Sequence, residues 1–146
     1  MLLDVTGVLF DGSPLRPGVP SNARVPIRMQ RGTSVTIRLK VINAAGQQVD
    51  LTQSGRSIVF AVKKKPTDNP PAIAKTVTGP AASGDPKNVC RIAIVPHDTA
   101  KPTVQAGRYG FDIVLVDTTL NPPSRELVIP LSPFVLEETD QNLTGV

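Results

Sequence analysis

The side chains able to do chemistry are few, and their spacing does not bring them together. The sole histidine, His97, sits beside Asp98, and the sole cysteine, Cys90, lies seven residues earlier. A metal site needs a cluster of His, Cys, Asp or Glu at ligand spacing; a single imidazole next to a turn reads instead as a surface residue. Nucleophilic catalysis needs a base within reach of a Ser, Thr or Cys, and nothing in the pattern marks a partner for His97. Cys90 is in phase with Ile92 and Ile94, which makes it a small buried hydrophobe. Asp112 and Asp117 share one extended stretch, but an odd step separates them, so they point to opposite faces and do not form the facing pair that glycoside hydrolysis uses. Gly7, Gly12, Gly18 and Gly32 are spread through turns and build no phosphate-cradling loop. The expectation is a protein that is not an enzyme, with no catalytic residue, no metal site and no cofactor.

The elements that would carry any site are strands. From Arg108 to Asp117, Tyr109, Phe111, Ile113 and Leu115 fall on one face, and Gly110, Asp112, Val114 and Val116 fall on the other. A period of two with β-branched and aromatic residues is what a sheet strand requires. This stretch is expected at the centre of the core. Val35, Ile37, Leu39 and Val41 alternate with Thr36, Arg38 and Lys40 as a half-buried strand. Ile58, Phe60 and Val62 make another, ending in Lys63-Lys64-Lys65. Shorter strands are read at 25–30, 73–77, 89–95 and 125–131, the last with Leu127, Ile129 and Leu131 in phase and an extension to 136. A hairpin at Asn43–Gly46 is expected to lead a return strand over 47–51. One helical turn is expected near 97–101, with Asp98 or Thr99 as its cap. Pro26 and Pro130 mark edge strands, because proline cannot donate to a ladder. The predicted core is Val35, Ile37, Leu39, Phe60, Tyr109, Phe111 and Ile113.

Fifteen prolines and eleven glycines cut the chain into short pieces, so long helices are excluded. Seven or eight short strands joined by turns predict an all-β fold: an antiparallel, immunoglobulin-like β-sandwich. A closed barrel is the main competitor. One domain is expected over 25–136, long enough for a single core. Residues 1–24 read as an extended N-terminal arm: the apolar Val8, Leu9 and Phe10 precede a run of prolines and glycines too dense for a central strand. These three are expected to pack on another subunit. Residues 137–146, opening with Glu137, Glu138 and Asp140, read as an acidic, solvated tail.

The net charge of +4 would suit an acidic partner or nucleic acid. The basic residues are scattered, however, and few aromatics are available to stack on bases, which argues against nucleic acid. One cysteine permits no internal disulfide. Neither a signal peptide nor a membrane span is read, and folding in a reducing cytoplasm is expected.

The order of elements carries a resemblance. Gln30-Arg31-Gly32-Thr33-Ser34-Val35-Thr36-Ile37 leads into Asn43-Ala44-Ala45-Gly46 and Asp50-Leu51-Thr52. Ile58-Val59-Phe60-Ala61-Val62-Lys63 follows, and later Ala106-Gly107-Arg108-Tyr109-Gly110-Phe111. The pattern resembles the small immunoglobulin-like sandwich domains of tailed-bacteriophage virion proteins, such as the N-terminal domain of baseplate upper proteins and other tail and head accessory proteins. It covers about residues 25–136. The family usually continues its Asp-Leu-Thr with a glycine or an aromatic, where this chain has Gln53-Ser54-Gly55. The resemblance implies a virion structural protein of the tail or baseplate, assembled in the host cytoplasm with other virion proteins in many symmetric copies. It implies no small-molecule substrate and no membrane. Two alternatives stand beside it: a decoration or cement protein of the capsid, and a carbohydrate-binding or adhesin sandwich, against which the low aromatic content counts.

Overall fold

Among the described residues, alternating side chains resolve into eight strands: β1 (Leu2–Leu9), β2 (Ile27–Gln30), β3 (Val35–Asn43), β4 (Arg56–Lys63), β5 (Ile73–Val77), β6 (Val89–Ile94), β7 (Gly107–Asp117) and β8 (Ser124–Glu137). The structure is a computed structural model, and it describes residues 1–9, 26–65, 67–78, 85–100 and 104–138. The strands form two sheets, a small one of order β1-β3-β6 and a large one of order β2-β8-β7-β4-β5. The result is an all-β sandwich, with β7 in the middle of the large sheet.

The two inner faces meet in one apolar core. Val35, Ile37 and Leu39 come from the small sheet, and Phe60, Phe111 and Ile113 from the large one, all buried in a single cluster. Phe111 is the hub: its ring lies 5.4 Å from Phe60 and 6.5 Å from Phe134, the latter edge-on. Offset and edge-to-face pairs of this kind stabilise beyond their buried area. Tyr109 is half-buried at the rim, and its hydroxyl donates to the Gln105 carbonyl at 2.5 Å. That closes a tyrosine corner of the sort that pins strand entries in sandwiches.

The expected N-terminal arm over 1–24 is corrected at its first part. Leu2–Leu9 is a strand of this chain's own small sheet, pairing in parallel with β3 from Leu2↔Thr36 to Leu9↔Asn43. Val8 and Leu9 are 1% and 7% exposed; Phe10 lies outside the described residues. The physical reason sits at Gly7. A Cβ there would meet Val128 Cγ1 at 2.1 Å, so glycine lets β1 lie directly against β8. The glycine that reads as a break in the sequence is what seats the strand.

Wholly antiparallel pairing is also corrected. β1 with β3 and β2 with β8 are parallel pairs. In both, the chain crosses between sheets before pairing, so no tight hairpin forces it to reverse. The return strand expected at 47–51 reduces to one bridge, Ile42↔Gln48. The helical turn is a single 3-10 turn at Pro96–Thr99, where Asp98 accepts from the Val95 N–H at 2.8 Å.

β8 departs most from its pattern. Its register against β7 shifts on both sides of Ile113, so Val128 and Ile129 are both buried while Leu127 and Leu131 are 47% and 51% exposed. Bulges absorb Pro130, which has no N–H for the ladder. Pro130 therefore marks a bulge inside β8, whose end is flanked by β2 and β7. The acidic tail also begins later than residue 137, because Glu137 belongs to β8 and pairs with Arg28 at 2.7 Å.

Candidate interaction surfaces

The residues that could do chemistry are placed apart. His97 is exposed on the 3-10 turn. Cys90 is buried in β6, and burial pushes its thiol up to about 12. Asp112 faces outward opposite Ala61, while Asp117 turns inward at the end of β7, opposite Arg56. Among the described residues, no three His, Cys, Asp or Glu side chains gather where they could hold a metal ion.

Two arginines act as pins. Arg56 donates to the Asp50 carbonyl at 2.8 Å, and its Nε lies 3.6 Å from Asp117. It ties the 50–55 loop to the end of β7. Both aspartates are turn residues: Thr119 donates its hydroxyl and N–H to Asp117, and Thr52 does the same for Asp50. Those bonds hold each carboxyl below the usual carboxylate range. Arg31 is the second pin. Its guanidinium is nearly buried, donating to the Val104 carbonyl at 2.8 Å, to the Thr99 carbonyl, and to Glu138 at 3.0 Å. Gly32 N–H adds a bond to the Thr99 hydroxyl at 3.1 Å. The Arg-Gly pair thus fastens Thr99 and Val104 to the end of β8. It was legible in sequence only as a turn, because its partners lie far along the chain.

The face with interaction character is the outer side of the large sheet. In an antiparallel sandwich the outward positions are normally polar. Here Val59, Val114 and Leu127 stand in one cross-strand row, and Ala61 stands in the next. Beyond them, Gly110 leaves bare backbone. A Cβ at Gly110 would come within 2.8 Å of Leu131 Cδ1, so Leu131 lies over β7 where a side chain would otherwise stand. Two shallow hollows meet there. One, of about 210 Å³, is lined by Ala61, Lys63, Lys64, Gly110, Asp112 and Leu131. The other, of about 340 Å³, continues past Leu131 to Arg108, Pro133 and Val135. Lys64 reaches over the Tyr109 ring at 5.8 Å, which holds its ammonium at the rim.

No protein-family model matches the sequence, and no curated protein matches it. A solved structure to which the chain is similar is the N-terminal domain of phage TP901-1 ORF48. The TM-score is 0.47 at 11% sequence identity, with 94% of this chain and 99% of that chain covered.

Among the described residues no helix is long and apolar enough to cross a membrane. The predicted core residues lie inside the sandwich, with Tyr109 at its rim. Of the predicted assembly residues, Val8 and Leu9 are consumed by the fold and cannot serve as a free adhesive. The outer face of the large sheet, missed in the sequence, was hidden by the bulges that turn Leu127 and Leu131 outward.

Proposed function

We propose that this chain is a bacteriophage virion structural subunit, of tail or baseplate type, working by protein–protein assembly and not by catalysis. The observation that carries the reading is the outward row Val59, Val114 and Leu127, with Leu131 beside it. An apolar row of this kind on the solvent side of a sandwich marks a surface meant to be covered. The sequence pattern from Gln30 to Phe111 supports the virion context through its resemblance to sandwich domains of phage particles. A sugar-binding module is disfavoured, because Phe60, Phe111 and Phe134 are spent in the core and none is available as a platform.

The test is incorporation. The full chain, expressed with its neighbouring genes, should copurify with particles or tail assemblies in a fixed stoichiometry, and a density map should place it at symmetry-related positions. Its absence from every particle fraction would overturn the reading, and its position in the map would tell tail from capsid.

A further inference from the structure

We infer that the trough across β4, β7 and β8 is the docking site for an acidic, extended segment of a partner protein. Its apolar side chains would lie on Leu131, and its carboxylates would meet Lys63, Lys64 and Arg108. The inference rests on the assembly reading and names the surface and partner chemistry for it.

Charge carries the argument furthest. Arg28, Arg31, Arg38, Arg56, Lys75 and Arg91 each sit within ion-pair distance of a carboxylate. Lys63, Lys64 and Arg108 have no such partner among the described residues; Lys40, Lys65, Lys87 and Arg125 have none either, but it is the first three that meet at the rim of one trough. Against these cations the trough offers one carboxylate, Asp112. Surface cations left without a carboxylate and gathered on one side attract an acidic partner.

Shape and polarity select the kind of partner. The floor is Ala61, Leu131, Pro133 and Val135 around the bare backbone of Gly110. An extended segment turns alternate side chains to the same side, so apolar and acidic residues in alternation match an apolar floor with a basic rim. A second copy of this chain is a poor occupant. Each copy carries +4, and two-fold pairing of the trough would set the same three cations against each other. Nucleic acid would engage the cations but leave Leu131 and Val135 without partners, and the one ring lining the trough among the described residues, Tyr109, is half-buried against the core with Lys64 over its face.

The experiment measures binding of the full chain to a short fluorescein-labelled peptide repeating Glu-Leu-Glu-Ser, followed by anisotropy. The matched Lys-Leu-Lys-Ser peptide and a labelled oligothymidylate are compared alongside. Saturable binding of the acidic peptide alone is expected, weakening as salt rises. Leu131→Ser and the double change Lys63→Glu with Lys64→Glu should each weaken it by about tenfold or more, roughly 1.4 kcal/mol. Both variants change surface positions, and an unmoved melting curve checks that they fold; should either fail, Arg108→Glu provides the same reading. No binding, or binding that both variants leave intact, overturns the proposal. So does oligothymidylate binding that ignores Leu131→Ser, or self-association abolished by the same substitutions. Incorporation separates the two readings. Wild-type entry into particles with undiminished entry of both variants sinks the trough alone. Peptide binding without wild-type entry sinks the assembly reading alone.

Discussion

At the scale of single residues, the fold holds the Cys90 thiol in an unreactive state. Cys90 is fully buried in β6, and its thiol is pushed up to about 12. Burial disfavours the thiolate, which is both the nucleophile and the metal ligand. A thiol reagent at neutral pH should therefore modify Cys90 only as fast as the protein opens, and burst labelling of the native protein would refute its burial. The sign of the pH effect follows from the same shift. A folded value raised above the unfolded ~8.5 contributes stability that is fully present below that pH. It is lost as pH rises through the folded value near 12. Denaturant midpoints measured across that alkaline range should fall less for Cys90→Ala than for the wild type.

At the scale of elements, β1 and the Arg31 pin decide whether the sandwich closes. β1 places Val5, Val8 and Leu9 in buried positions along β3. Burying each side chain of this size is worth ~1.5–3 kcal/mol, so losing all three removes roughly 5–9 kcal/mol from a domain that has ~5–15 in total. Deleting residues 2–9 should leave an insoluble or unfolded chain; a soluble truncation with an unchanged melting curve would restore the idea of a free arm. For Arg31→Met, the Thr99 and Val104 carbonyls lose their donor and Glu138 loses its partner. Each orphaned buried acceptor costs roughly 1–3 kcal/mol. Thermal melting should drop accordingly, and hydrogen exchange should rise first in the 96–100 turn and at Val104. Unaltered exchange there would show that the pin is dispensable.

At the scale of the whole molecule, surface ion pairs and turn aspartates set the response to acid. Asp85 is held below the usual carboxylate range by its hydrogen bond from Arg91, and Asp50 and Asp117 by theirs from Thr52 and Thr119. Folded values lower than unfolded ones contribute stability that is present above the ordinary carboxylate pKa of ~4. It is lost as pH falls through the depressed values, because the unfolded chain takes up protons first. Melting temperature should hold from neutral pH to about 5 and fall below it, with a shallower fall for Asp85→Asn. A flat profile down to the most acidic buffer would rule out this origin of acid sensitivity. The net charge of +4 grows as carboxylates are neutralised, adding self-repulsion in the same direction.

What the sequence determined by itself was the set of strands whose cause is local. Val35 to Val41, Ile58 to Val62 and Tyr109 to Leu115 alternate without interruption, and burial of one face leaves a strand little freedom of register. Class, core and the central place of β7 follow from that alternation alone. β1 is not legible as a strand because its inward positions run Leu3, Val5, Gly7, Leu9, and the glycine is explained only by Val128 lying 2.1 Å from where its Cβ would stand. Period two alone puts Leu127 and Leu131 in phase with the buried Ile129, because it cannot foresee a bulge, and the shifts around Ile113 belong to the pairing of two strands. The Arg31 pin and the basic trough share that character. Arg31 meets Thr99, Val104 and Glu138, and Lys63 meets Gly110 and Leu131 across strands. Such groupings arise from contacts between distant segments, and only the tertiary structure could decide them.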